Sequence, residues 1–342
     1  MALHQLKRVP TAEEIRQIMP VSPKLQDIKK TRDEEIAKVI KSESDKFILI
    51  IGPCSADNED AVCDYVNRLA KVGEKVQDKI LLIPRIYTKK PRNTGAGYKG
   101  MLHQPDPNSK SDFVAGLKAI RKMHIRAMEE TGLTAADEML YSENWLYMED
   151  ILSYVAIGAR SVEDQEHRLT ASGMDIPVGM KNPTSGDLTV MLNSCLAGQM
   201  KHTFLYSGWE TKTDGNPLVH CILRGALNKH GQSISNYHYE DLIQLVELYH
   251  QFDLANPACI VDANHNNSGK KWDQQPRIVK EILHSMRHSD EIKQLVKGVM
   301  VESYIEDGNQ PIDGGCYGKS ITDPCLGWDK TEQLILEIAD LL

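Results

Sequence analysis

The chain has 342 residues, 41% hydrophobic and 26% charged, with a formal net charge of −8. That is ordinary globular composition, and its acidic balance argues against a nucleic-acid partner, which needs a broad basic face. No run approaches the roughly 18 apolar residues of a membrane span, no secretory signal opens the chain, and seven cysteines lack any C-x-x-C pair; a cytoplasmic protein with no membrane partner, no disulfide framework and no zinc ribbon is expected.

In chain order, residues 1–45 are polar and helix-like, are broken by Pro20 and Pro23, and read as an N-terminal arm. From Phe47 onward short apolar runs alternate with amphipathic ones. The runs 47–51, 80–86, 133–138, 155–159, 176–180, 203–206, 258–261 and 298–301 read as strands. Helical spacing falls at 57–76, 112–130, 163–171, 187–199, 239–252, 275–287 and 331–341. Strands alternating with helices predict a parallel α/β fold, and eight units over residues 46–342 fit a (β/α)8 barrel. One surplus strand, 219–223, is assigned to an added hairpin after the sixth strand. A doubly wound open sheet is the alternative; no G-x-G-x-x-G follows the first strand to support it.

A parallel barrel gathers its strand ends at one mouth. The first strand leads into Cys54, the second into Arg85 and a basic stretch containing Lys90, Pro91, Arg92 and Asn93. Later strands end at Glu138, Arg160, Lys181, Arg224, Asp262 to His265, and Glu302. Six of these side chains, Arg85, Lys90, Arg92, Arg160, Lys181 and Arg224, are cations suited to small phosphorylated and carboxylated ligands. Cys54, His265, Glu302 and Asp323 offer sulfur, nitrogen and oxygen donors for a first-row divalent metal. Taken singly, each also has an ordinary structural reading: a buried thiol, a loop histidine, a carboxylate paired with an arginine.

Several strings, in order, resemble class I 3-deoxy-D-arabino-heptulosonate 7-phosphate (DAHP) synthases of the microbial type. They are Ile-Gly-Pro-Cys-Ser at 51–55, Lys-Pro-Arg at 90–92 with Gly-Tyr-Lys-Gly at 97–100, and Ala-Ile-Gly-Ala-Arg at 156–160. Pro-Val-Gly-Met-Lys-Asn at 177–182, Gly-Val-Met-Val-Glu-Ser at 298–303 and Tyr-Gly-Lys-Ser-Ile-Thr-Asp at 317–323 complete them. The resemblance implies a transferase that condenses phosphoenolpyruvate with D-erythrose 4-phosphate, the first step of the shikimate pathway to aromatic amino acids. It also implies metal ligands at Cys54, His265, Glu302 and Asp323, for Mn, Fe, Co or Zn. Phosphoenolpyruvate contacts fall on Arg85, Lys90, Arg160, Lys181 and Arg224. Sugar-phosphate contacts fall on Lys90, Pro91, Arg92, Asn93 and Asp262. Lys181 is expected to donate a proton, its pKa lowered by burial among cations; Glu138 and His167 are expected to position or deprotonate a water. A 3-deoxy-octulosonate 8-phosphate synthase-like enzyme and a catalytically silent anion-binding barrel stay open as alternatives.

Departures from the resembled pattern lie at Asn93, where Thr is common, at Gly95-Ala96, at Asn264 (Ser) and at Pro324 (Ala). Asn144-Trp145-Leu146-Tyr147 stands where feedback-regulated members carry Thr-Pro-Gln-Tyr beside an aromatic amino-acid pocket. The N-terminal arm resembles the extension of regulated, oligomeric members, so a homodimer or homotetramer and an aromatic amino-acid effector are expected.

Overall fold

The computed structural model describes residues 3–92 and 97–342. Asn93 and the Gly95-Ala96 pair fall outside the described residues. The arm contains α1 (Ala12–Ile18) and α2 (Pro23–Ile40), opened by Thr11 and Ser22, whose hydroxyls accept the N–H groups of Glu14 and Leu25. There follow β1 (Phe47–Gly52), α3 (Glu59–Val76), β2 (Ile80–Pro84), α4 (Phe113–Thr131), β3 (Ala135–Glu138) and β4 (Leu152–Ile157). Next are α5 (Gln165–Ala171), β5 (Val178–Lys181), α6 (Leu188–Gln199), β6 (Thr203–Tyr206), β7 (Trp209–Lys212) and β8 (Val219–Leu223). A two-stranded ribbon, β9 (Ala226–Leu227) and β10 (Ser233–Ile234), precedes α7 (Tyr239–Tyr249) and β11 (Cys259–Asp262). The chain ends with α8 (His265–Ser268), α9 (Gln275–His288), α10 (Asp290–Leu295), β12 (Val296–Glu302) and α11 (Trp328–Leu341).

Eight strands form one sheet in the order β2-β1-β12-β11-β8-β5-β4-β3. All seven pairings are parallel. A parallel bridge between Arg85 and Ala136 joins the two outer strands and closes the barrel. The expected (β/α)8 architecture is present, with its added hairpin.

The hairpin's place differs from the expectation. Val219–Leu223 is the sixth barrel strand, buried at every residue between β5 and β11. Among the described residues Thr203–Tyr206 pairs only with Trp209–Lys212, antiparallel, and alternates exposed and half-buried residues. A strand inside a (β/α)8 wall is covered on both faces. The period-two exposure of 203–206 marks a surface ribbon instead.

Strand side chains alternate between two cores. Phe47, Leu49 and Ile51 face outward to the helices, while Ile48 and Ile50 join Leu81, Ile83, Ala156, Ile222, Ile260 and Met300 inside the barrel. Ile36, Val39 and Ile40, from the last turns of α2, belong to the same inner cluster. The arm therefore closes the end of the barrel from which the strands start. The opposite end is left for the site. Among the described residues no helix is long and apolar enough to cross a membrane.

Candidate active site

The strands end where the apolar interior gives out. At that end a cavity of about 270 Å³ is lined by Arg85, Lys90, Pro91, Arg92, Glu138, Arg160, Lys181 and Arg224, with Ala159, Thr184, His265, Lys270 and Asp323. All six predicted cations are on this wall. So is Lys270, which the strand-end reasoning missed because it lies on a turn beyond β11.

Arg85 follows β2 and is 2% exposed. Its guanidinium donates to Glu302 Oε1 at 2.9 Å and to the Pro53 carbonyl, and lies 3.6 Å from the Tyr87 ring centroid. Burial disfavours the charge, but Glu302 and Tyr87 outweigh it and hold Arg85 above the usual arginine range. Arg224 is buried without a carboxylate of this kind: its Nη1 has no partner among the described residues, and burial draws its pKa down. Arg160 is exposed on the cavity rim. An unpaired buried guanidinium N–H is costly unless an anion meets it, which is how an anion subsite is built.

The turn carrying Lys90 to Arg92 is pinned at both ends. Asp137, 1% exposed, accepts from the Thr88 N–H at 2.9 Å and from Lys89 Nζ at 2.7 Å. Lys89 thus faces away from the cavity, and Lys90 faces into it. Lys90 N–H donates to the Lys99 carbonyl at 3.0 Å, and Arg92 Nε donates to the Tyr98 carbonyl at 2.8 Å. Gly100, at φ +95°, closes the return, because a Cβ there would strike the Thr88 carbonyl.

Beneath the cations lies a donor cluster. Single ligand atoms of Cys54, Glu302 and Asp323 lie within 4.8 Å of one another. His265 lies beside this cluster, with Nε2 at 3.7 Å from Glu302 Oε1. Its Nδ1 is 2.8 Å from Asp262 Oδ2, and burial lowers its pKa against the pull of that carboxylate. That contact leaves Nε2 as the free ligand atom, the usual arrangement of a carboxylate behind a metal-binding histidine. Burial raises the Cys54 thiol, and Glu302 adds to this against the pull of Lys90. Burial also pushes on Asp323, but Lys90 and Lys270 hold its carboxyl far below the usual carboxylate range. Sulfur, imidazole and two carboxylates in a buried pocket fit a first-row divalent ion.

Two predicted site residues lie elsewhere. Asp262 is fully buried and does not line the cavity; its Oδ2 holds Lys181 Nζ at 3.1 Å, and it faces His265. The sequence assigned it to the sugar phosphate. In the structure it is the counter-ion that the buried lysine requires. It also corrects the surroundings expected for Lys181, which include an anion at contact distance. His167 is not among the cavity-lining residues; Nδ1 lies 2.7 Å from Asp164 Oδ1 and Nε2 3.1 Å from the Leu140 carbonyl. The ring thus packs against a carboxylate and a backbone carbonyl, away from the cavity lining. Glu138 is on the wall, and a Cβ at Gly158 would run into its Oε1.

Residues 20–336 match the DAHP synthetase I family. The chain belongs to that family. Among its relatives is the Trp-sensitive phospho-2-dehydro-3-deoxyheptonate aldolase of Escherichia coli O157:H7, 33% identical over 98% of this chain and 95% of that protein. The phenylalanine-inhibited enzyme of Saccharomyces cerevisiae is 35% identical over 94% of this chain and 88% of its own length. The structure of the Francisella tularensis phospho-2-dehydro-3-deoxyheptonate aldolase superposes with a TM-score of 0.91, at 29% identity, over 99% of this chain and 98% of the other. As a DAHP synthetase the chain is a metal-dependent transferase of the shikimate pathway, and the donor cluster at its barrel mouth fits that dependence.

A second cavity of this DAHP synthetase, about 560 Å³, lies away from the mouth. Trp145, Leu146, Asp175, Phe204, Tyr206 and Pro217 are among its walls, so the hairpin β6–β7 and the turn that departs from the family string meet there.

Proposed function

We propose that the cationic mouth of this barrel is where phosphoenolpyruvate and D-erythrose 4-phosphate are joined. The reaction is that of the family: the two substrates and water give 3-deoxy-D-arabino-heptulosonate 7-phosphate and phosphate. The observation that carries the residue assignment is a cavity of about 270 Å³ with seven cations on its wall, directly above a Cys–Glu–Asp cluster. Phosphoenolpyruvate puts a phosphate and a carboxylate on a three-carbon frame. Arg85, Lys90, Arg160, Lys181 and Arg224 offset that charge density and orient the enol face. Pro91 and Arg92 turn toward the phosphate of the sugar, and Asn93, next in sequence, is assigned to the same substrate.

Cys54, His265, Glu302 and Asp323 would hold a divalent ion of the Mn, Fe, Co or Zn group, which when bound supplies Lewis-acid polarisation of the aldehyde. Lys181, steadied by Asp262, donates the proton that the departing phosphate requires. Glu138, at the end of β3, accepts the proton of the attacking water, and Gly158 leaves its carboxylate the room to do so. His167 serves as a support for the Leu140 backbone near Glu138 rather than as the base.

The second cavity is proposed as the effector site for an aromatic amino acid. Its aromatic and apolar walls with Asp175, Glu149 and Lys212 suit an apolar side chain bearing an ammonium and a carboxylate. Exposed Leu3 and Leu6 on the arm, with Leu205 and Trp209 on the hairpin, support assembly as a homodimer or homotetramer. Seven free cysteines fit a reducing cytoplasm.

The test is consumption of phosphoenolpyruvate, followed by loss of enol absorbance. Turnover with erythrose 4-phosphate and not with arabinose 5-phosphate is expected; no consumption with either sugar under Mn, Fe, Co or Zn would refute the reading. Adding Phe, Tyr or Trp separately to the same assay identifies the effector.

A further inference from the structure

Asp323 is the one proposed metal ligand whose two carboxylate oxygens are both held by ammonium groups. Oδ2 lies 3.1 Å from Lys90 Nζ, and Oδ1 lies 2.9 Å from Lys270 Nζ. Lys90 Nζ also stands 2.7 Å from Cys54 Sγ. The protein thus places its own positive charge against the donor atoms that a metal would use.

The two lysines are not equivalent. Lys90 is 13% exposed at its side chain and belongs to the pinned turn of the substrate wall. Lys270 is 55% exposed and swings into solvent at little cost, since exposed ion pairs contribute little. Yet its backbone is built to bring it there. Gly269 and Lys270 are consecutive left-handed residues, at φ +59° and +62°, and the Lys270 N–H donates to the His265 carbonyl at 2.8 Å. A lysine rarely adopts that conformation, and strain of this sort collects at functional sites. One tight turn therefore presents a metal ligand, His265, and aims a cation at another, Asp323.

We propose that Lys270 is a resident counter-cation of Asp323, which an incoming divalent ion has to displace. The inference rests on reading Cys54, His265, Glu302 and Asp323 as the metal ligands. A metal-bound carboxylate sits about 2.0–2.2 Å from its ion. An ammonium still paired with that carboxylate would stand within a few ångströms of a double positive charge, at a mouth already lined by Arg85, Lys90, Lys181 and Arg224. Lys270 keeps Asp323 oriented and neutralised until the ion arrives, and it sets the affinity lower than the donor set alone would give. The sign separates this from simple support: a supporting lysine strengthens metal binding, whereas a displaced one weakens it.

The experiment is a calorimetric titration of the full-length protein with Mn²⁺ alone, in phosphate-free buffer at low salt. A parallel Co²⁺ titration reads the thiolate-to-cobalt absorption that reports Cys54. Lys270→Met removes the charge without relieving the backbone strain, because Met pays the same left-handed penalty as Lys. It is expected to bind Mn²⁺ about fivefold tighter than wild type, with the difference shrinking in high salt. Lys270→Arg, which keeps the charge, is expected to stay within about twofold of wild type. Thermal melts of both variants confirm that they fold. Lys270→Met binding Mn²⁺ no tighter than wild type, while wild type still shows the Cys54 cobalt band, overturns the proposal alone. A wild type that titrates like Cys54→Ser, with no thiolate band, removes the metal reading and the proposal together.

Discussion

The two ends of the barrel interior are made by the same eight strands from opposite chemistries. At the starting end, Ile48, Ile50, Leu81, Ile83 and Met300 pack with Ile36, Val39 and Ile40 of α2, and every one of them is at most 3% exposed. At the finishing end, Arg85, Glu302, Lys181 and Asp262 are nearly as buried, yet all are ionisable. Burial of apolar surface is favourable, so the first end supplies stability. Burial of charge is costly unless every ion is paired, so the second end draws on it. The pairs are arranged accordingly: Arg85 on Glu302 and Lys181 on Asp262 leave Arg224 and the rim cations to meet a ligand. Closing one end with a helix and loading the other with ions separates holding the fold from doing the chemistry.

Four substitutions break or sharpen this contrast. At the polar end, Lys181→Met is expected to cost about 10³-fold in kcat, about 4 kcal/mol, and also about 3 kcal/mol of stability, because Asp262 is left buried without its cation. Steady-state kinetics beside a thermal melt would check it, and near-normal turnover removes Lys181 as the proton donor. At the apolar end, Ile50→Ala is expected to spare the chemistry. It should cost about 3 kcal/mol of stability, read by denaturant unfolding, with KM for both substrates unchanged.

A fully buried polar pair lies among these apolar side chains, and it sets a pH limit. His220 accepts from Tyr154 Oη at 2.7 Å and donates to the Leu218 carbonyl at 2.8 Å, and burial pulls its pKa from 6.5 down to about 4. Below pH 6.5 the unfolded chain takes up a proton that the folded one refuses. The neutral ring's contribution is therefore intact above pH 6.5 and falls away as the pH drops toward 4, by about 2–3 kcal/mol. His220→Gln should flatten that part of the stability–pH curve; an unchanged slope would place the acid sensitivity elsewhere. The smallest effect is back at the mouth. Gly158→Ala pushes on the Glu138 carboxylate and is expected to lower kcat about tenfold, about 1.4 kcal/mol, with little change in unfolding.

The same division explains what the sequence made legible. Runs such as 47–51 and 80–86 declared themselves, because strands buried on both faces have no polar alternation. The strand-end residues followed from them once a barrel was assumed. Val219–Leu223 was misplaced because His220 interrupts its apolar run, and its buried partner Tyr154 is 66 residues away in sequence. Phe204-Leu205-Tyr206 looked like the better strand, though Leu205 is 79% exposed. The fourth strand begins at Leu152 rather than 155, after a tight turn that carries no glycine or proline signal. Asp262 and His167 were assigned chemistry from their position along the chain, but their roles depend on which neighbours claim their polar atoms first. Lys270 carried no strand-end signal at all; only its left-handed turn brings it to Asp323.

The basic mouth on a body of formal charge −8 also governs how ligands arrive. A small polyanion diffusing toward most of this surface meets repulsion, and over one opening it meets attraction. Field lines from seven cations set around a low-dielectric mouth converge on that opening, so encounters are funnelled rather than spread over the surface. With the far end sealed by α2, capture and escape share a single gate. The rate of capture then becomes a property of the surrounding electrolyte as much as of the protein, rising in dilute buffer and falling as counter-ions crowd the rim.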